Sequence, residues 1–262
     1  MQPNDPNRMQ GGSGNAWNAP NTLSGGVVTA SATTAPREGF LTASFVWMFV
    51  GLLISAGAAW FTMSNTSALQ AVMNAWIVLL IAEIALVFIL SLAIAKLPPL
   101  VALAMFFVYA LLNGLTLGVI VLLYTNPTIA ADGSIVAGDA SGVVSAFLGA
   151  SAIFAGAALY GAVTKRDLAS LGGILFMGLI GLVVMSFVQL FLFRDSEIFN
   201  LVIGAVGVLI FTGLTAYDVQ RIQRGALPGI NRDSASVMGA LALYLDFINL
   251  FLMLLRLFGN NR

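Results

Sequence analysis

The chain has 262 residues, of which 59% are hydrophobic and 8% charged, with a formal net charge of zero. A soluble domain carries about a quarter of its residues as charges, so the composition excludes an ordinary soluble fold and points to a polytopic membrane protein. Cys and His are both missing, which removes disulfides, thiolate chemistry, His-based triads and the usual zinc sites, and the neutral balance leaves no basic surface for nucleic acid.

Residues 1–39 are rich in Asn, Gly, Pro and Ser and nearly free of aliphatics. Such a segment buries too little apolar surface to offset its ordering entropy, so it reads as a disordered tail. It has no charged start followed by an apolar core and a small-residue cleavage site, so it does not read as a signal peptide. The membrane domain is expected over residues 40–262.

A bilayer core takes roughly 20 apolar residues as helix. Runs of that kind occupy 41–62, 71–95, 98–124, 142–164, 170–193, 198–222 and 237–258. Each must satisfy its own backbone hydrogen bonds in lipid, which forces helix. The fold class is therefore all-α, with seven transmembrane helices. Small residues such as those in GASAIFAGAALYGA, 149–162, let helix backbones approach closely.

Lys and Arg set the orientation. With the N-terminus in the cytoplasm, the inner side holds Arg8, Arg37, Lys96, Lys165, Arg166, Arg221, Arg224 and Arg232. The outer loops hold Arg194 alone, a bias of eight to one. Trp60, Trp76 and Tyr124 fall at outer helix ends, where an aromatic belt belongs.

Three acids lie inside the apolar runs: Glu83 in the second, Asp218 late in the sixth and Asp246 in the seventh. A short connection makes the last two helices neighbours, and both aspartates fall towards the inner side. A charged acid near the membrane centre costs roughly 2.5–3.5 kcal/mol. Neutralising an ordinary Asp at pH 7 costs about 4 kcal/mol. Neither state wins by default, so the pair is poised to switch protonation near neutral pH. Structural roles compete: Asp218 with Arg221 at i+3, Asp246 with Asn249, and Glu83 with a nearby Ser or Thr. Arg256 lies about 15 Å along the helix from Asp246, so it cannot pair with it on an unbroken helix and reads as an interfacial or snorkelling residue. The stretch 125–141 carries Asp132 and Asp139 but matches no calcium-loop spacing. It reads as a solvated turn.

GLTAYDVQRI at 213–222 and ALYLDFINLFLMLLRLFG at 242–259 resemble the two signatures of the Bax inhibitor, or transmembrane Bax inhibitor motif, family. LYGAVTKRDLASLGGILFMGLIG at 159–181 is similar to its bacterial inner-membrane branch. The resemblance covers the second to seventh helices. It implies a bundle with the last helix central and a pH-sensitive calcium leak gated by Asp218 and Asp246. Glu83 matches a further acidic position along the ion pathway, and all three acids are then oxygen ligands for a passing Ca²⁺. Some members carry an Arg in the second helix that bridges the aspartates, whereas Ile94 stands there in this chain.

The sequence thus predicts an inner-membrane protein that is not an enzyme and has no cofactor. Its partners are the lipid bilayer and calcium ions, with room for other membrane proteins. One alternative is a regulator of membrane proteases or stress responses acting through helix contacts. Another is an intramembrane aspartyl protease, for which Tyr217-Asp218 offers the first motif. The Gly-x-Gly before the second aspartate and the later Pro-Ala-Leu are missing.

Overall fold

The computed structural model describes residues 38–94, 96–125, 127–129, 135–136, 138–192, 196–225 and 232–259. The predicted tail up to residue 37, with Arg8 and Arg37, lies outside these, as do Asp132, Arg194 and Arg262. The order of helices is α1 (Glu38–Ser64), α2 (Thr66–Asn74), α3 (Trp76–Ala93), α4 (Pro99–Tyr124), α5 (Ser141–Val163), α6 (Ala169–Leu192), α7 (Glu197–Gln223) and α8 (Arg232–Gly259). Seven of them, all but α2, are long and apolar enough to cross a membrane. A two-residue antiparallel pairing, Thr128–Ile129 with Ile135–Val136, lies between α4 and α5. The protein is an all-α polytopic membrane protein.

The second predicted span differs from the structure. Residues 71–95 were expected as one helix, but the chain breaks at Ala75, with ψ near 8°. Asn65 ends α1 and caps a new helix by accepting from the Ala68 N–H at 3.1 Å, the usual work of an Asn at an N-cap. The short α2 buries Leu69 and Val72 against Val119 and Leu122 of α4. The apolar run from Ala71 onward hid this change of direction, although Asn74 interrupts it just before the break.

The last helix occupies the centre. Its most apolar stretch is 72% buried, against 50% for α4 and 6% for α6. It packs against α1, α4, α5 and α7, and its Tyr244 is fully enclosed by edge-on contacts with Phe106 and Tyr109. Its Phe247 packs edge-on to Phe154 of α5 at 5.5 Å. By contrast α6 packs chiefly on α7. The wide outer faces of α3 and α6 carry exposed Ile, Phe and Val, as lipid-facing surfaces do.

The helices alternate in direction, which sorts the charges. At one end Ser234 Oγ, at the start of α8, donates to Leu97 O just before α4 at 3.3 Å. At the other end Gly259 lies against Tyr124, and Gly142 against Phe258. Lys96, Lys165, Arg166, Arg221 and Arg224 fall in the segments of the first end, and Arg256 lies near the second.

Two close backbone approaches depend on glycine. A Cβ on Gly114 of α4 would stand 2.5 Å from the Ser55 carbonyl oxygen of α1, and one on Gly161 of α5 would collide with the Ala216 carbonyl of α7. Without a hydrophobic drive in lipid, such contact is what packs helices. Gly156, on the same helix as Gly161, has open space around it. Gly161→Ala is therefore expected to lose about 1–3 kcal/mol by overpacking, while Gly156→Ala does not. Thermal unfolding of the two variants in the same detergent checks this, and equal stabilities would contradict the packing.

Candidate functional site

The structure brings two of the three intramembrane acids together and holds the third elsewhere. Asp218 on α7 and Asp246 on α8 line one cavity of about 810 Å³ between α6, α7 and α8. Its walls are largely apolar, with Phe176, Leu179 and Val183 from α6 and Phe211 and Met253 opposite. Arg221, Asn249 and Arg256 also reach it. The two carboxyls are near enough to feel each other's charge, as the short connection between the last two helices predicts.

Asp246 is 5% exposed, and its Oδ2 is the one buried side-chain oxygen or nitrogen without a hydrogen-bond partner among the described residues. The competing structural partner is otherwise engaged, since Asn249 Nδ2 donates to Leu245 O of its own helix at 2.8 Å. Asp218 is half-buried and feels the Arg221 charge, yet among the described residues the only ion pair is Arg224 with Asp167. Arg256, close to the end of α8, is half-buried and lines the cavity, and its Nη1 donates to Gln189 Oε1 of α6 at 3.1 Å.

Glu83 is buried on α3 but does not line this cavity. Its Oε1 accepts from Thr116 Oγ1 at 2.9 Å and its Oε2 from Asn113 Nδ2 at 3.3 Å. Asn113 Oδ1 in turn accepts from the Tyr244 hydroxyl at 2.9 Å, and that hydroxyl lies 2.6 Å from Ser55 Oγ. One buried chain of polar groups thus joins α3, α4, α8 and α1. Tyr244 and Asp246 are two residues apart, about 200° around the helix, so the chain and the cavity occupy opposite faces of α8. No group of three or more acids able to hold a metal forms among the described residues. The three predicted oxygen ligands do not make one set.

Sequence reasoning missed a tie at the end where α7 stops. Gln220 is buried; its Oε1 accepts from Leu168 N and its Nε2 donates to Arg166 O, both at 2.8 Å. Beside it Asp167 accepts from the Ala169 N–H and from Arg224. Those two donors, the backbone N–H first, hold the Asp167 carboxyl below its ordinary value. A glutamine in an amphipathic turn carries no signal for this; only the fold brings the 164–168 loop to it. Asp139, read as a turn residue, accepts from Ser141 N at 2.8 Å at the head of α5.

Fold and site together define a seven-span membrane protein with one carboxyl buried on its central helix and a second, half-buried, on the neighbouring helix. A family model described as inhibitor of apoptosis-promoting Bax1 matches residues 37–262, and the chain belongs to this Bax inhibitor family. It is 39% identical over 238 residues to inner membrane protein YbhL of Escherichia coli (strain K12), covering 87% of this chain and 95% of that one. A protein of Deinococcus radiodurans is 38% identical over 238 residues, covering 90% and 96%. A membrane protein of Streptococcus pyogenes serotype M3 is 43% identical over 183 residues, covering 69% and 72%.

Two outcomes follow for the polar groups. Glu83→Leu removes two inter-helix bonds and strands Asn113 Nδ2, so unfolding free energy falls by about 1–3 kcal/mol, and Glu83→Gln loses less. Unfolding in mixed micelles measures both, and a Leu variant as stable as wild type would remove the bonding role. The Asp167 tie has the opposite pH sense to a near-neutral switch. A carboxyl held below its ordinary value contributes above that value and loses its contribution only as pH falls through the lowered one. Asp167→Asn is therefore expected to leave any pH response between pH 6 and 8 unaltered.

Proposed function

We propose that this protein is a pH-gated calcium leak of the inner membrane with its N-terminus in the cytoplasm, and that Asp218 and Asp246 form the gate. The observation that carries the reading is the unpartnered Asp246 Oδ2, buried in a cavity that it shares with Asp218. A proton shared by the pair leaves a single negative charge between the two carboxyls, lets one hydrogen-bond to the other and keeps the helices closed around them. Its loss places two like charges in a poor dielectric, where repulsion a few ångströms apart is about 4 kcal/mol at an effective dielectric of about 20. That matches the few kcal/mol separating conformations of a two-state protein, so α7 and α8 part and the cavity opens to ions.

Calcium is the cargo, and Ca²⁺ prefers carboxylate and carbonyl oxygens. Two carboxylates and the Asn249 amide are a sparse set for an ion that takes six to eight oxygens, so it passes with much of its water rather than settling. This suits a leak better than a storage site. Glu83 stands apart from the cavity and in this reading holds α3 to α4 instead of contacting the ion. No cofactor and no covalent chemistry enter. The location rests on the seven spans, on the cations gathered at one end, and on the relative named as an inner membrane protein.

The test is calcium flux into liposomes as a function of pH. Wild type is expected to conduct more as the pH on the Asp218 side rises and to close as it falls. Asp218→Asn and Asp246→Asn are each expected to flatten that dependence, because an amide does not ionise. Two variants that keep the wild-type profile would show that the pair is not the sensor.

A further inference from the structure

The cavity has a second property that ion passage does not use. It is bounded on one side by α6, the least buried span, which packs chiefly on α7. The wall that α6 supplies is apolar and open: Phe176 and Phe187 are each 59% exposed and Val183 48%. In a membrane-spanning chain the medium against such a face is hydrocarbon. At about 810 Å³ the cavity falls within the range of roughly 300–1,000 Å³ in which proteins hold small apolar ligands.

Its charges select among those ligands. Two acids, Asp218 and Asp246, and two guanidiniums, Arg221 and Arg256, are the charged groups that line it. Arg256 is engaged by Gln189 at the far end. Arg221 is exposed at the end where α7 stops and makes no ion pair or hydrogen bond among the described residues, while its neighbour Arg224 is taken by Asp167. With one proton shared by the acids, a single negative charge faces two guanidiniums, so the cavity is net positive and favours an anion. An apolar slot open to lipid, with a guanidinium at its mouth that makes no hydrogen bond or ion pair among the described residues, has the layout of an amphiphile site. Arg is also the side chain best shaped to hold a phosphate through paired N–H groups.

We propose that the cavity between α6 and α8 binds an acyl chain of an anionic phospholipid, with the lipid phosphate held by Arg221. The occupant comes from the leaflet at the Arg221 end, its chain running along Phe176, Leu179 and Val183. A chain in place excludes water from Asp218 and Asp246 and fills the space an ion would cross, so a bound lipid favours the closed leak. The binding stands on the cavity alone; its effect on flux rests on the leak reading.

The test uses the purified full chain in phosphatidylcholine vesicles doped with phosphatidylglycerol or phosphatidylcholine that carries a photoactivatable acyl chain. Labelling of α6 and α8 peptides is expected to be several-fold stronger with the glycerol lipid. Arg221→Gln should reduce it to the phosphatidylcholine level, and Val183→Trp, which fills the slot, should reduce both. Equal labelling by the two lipids, or headgroup preference retained in Arg221→Gln, overturns the proposal. Glycerol phosphate in the buffer should not compete; if it does, the site belongs to a soluble anion and the lipid assignment falls. Labelling needs no calcium flux, so a chain that labels as expected but conducts at no pH keeps the site and discards the leak.

Discussion

A carboxyl oxygen without a partner, enclosed in the central helix of a membrane bundle, is the constraint around which this structure is arranged. An unsatisfied buried polar group costs about 1–3 kcal/mol, and lipid offers no water to relieve it. Asp246 is carried all the same on the helix that packs against α1, α4, α5 and α7. A purely structural residue at that position would find its bond, as Asn249 does within its own helix. Here the unpartnered oxygen faces a cavity that it shares with one nearby acid.

The two faces of α8 divide the work. One side carries Tyr244 into the chain of hydrogen bonds from Glu83 to Ser55, which pins four helices in register. The other side carries Asp246 into a loosely walled space where α6 meets chiefly α7. A closely bonded face and a loosely packed face thus share one helix, and the proposed gate lies on the loosely packed face. The Gln220 tie extends this division, because it fastens the loop before α6 to the turn of α7 that follows Asp218.

Much of this was legible from residue order. Seven apolar runs announce themselves without periodicity because lipid asks for length and apolarity alone. Asp218 and Asp246 stand out because acids are rare at such depth, and a short connection places their helices side by side. The break at Ala75 had a signal that the longer apolar run hid: α2, with Thr66, Ser67, Gln70 and Asn74, is far more polar than α3. Glu83 was conspicuous, but its partners Asn113 and Thr116 lie 30 and 33 residues on, and nothing local links them. Whether a lone acid meets a second acid or an amide is decided by helix rotation, which the packing of small residues such as Gly114 and Gly161 sets. The Gln189 partner of Arg256 was equally hidden, because it lies on a different helix.

The central claim is that the buried pair carries a proton that leaves as pH rises near neutrality. Infrared difference spectra of the protein in lipid, with its aspartates isotopically labelled, report the carbonyl stretch of a protonated carboxyl directly. A labelled band is expected at mildly acidic pH, disappears as pH rises through the range where flux begins, and is lost in Asp246→Asn. A band that stays constant across that range, or that persists unchanged in Asp246→Asn, would contradict it.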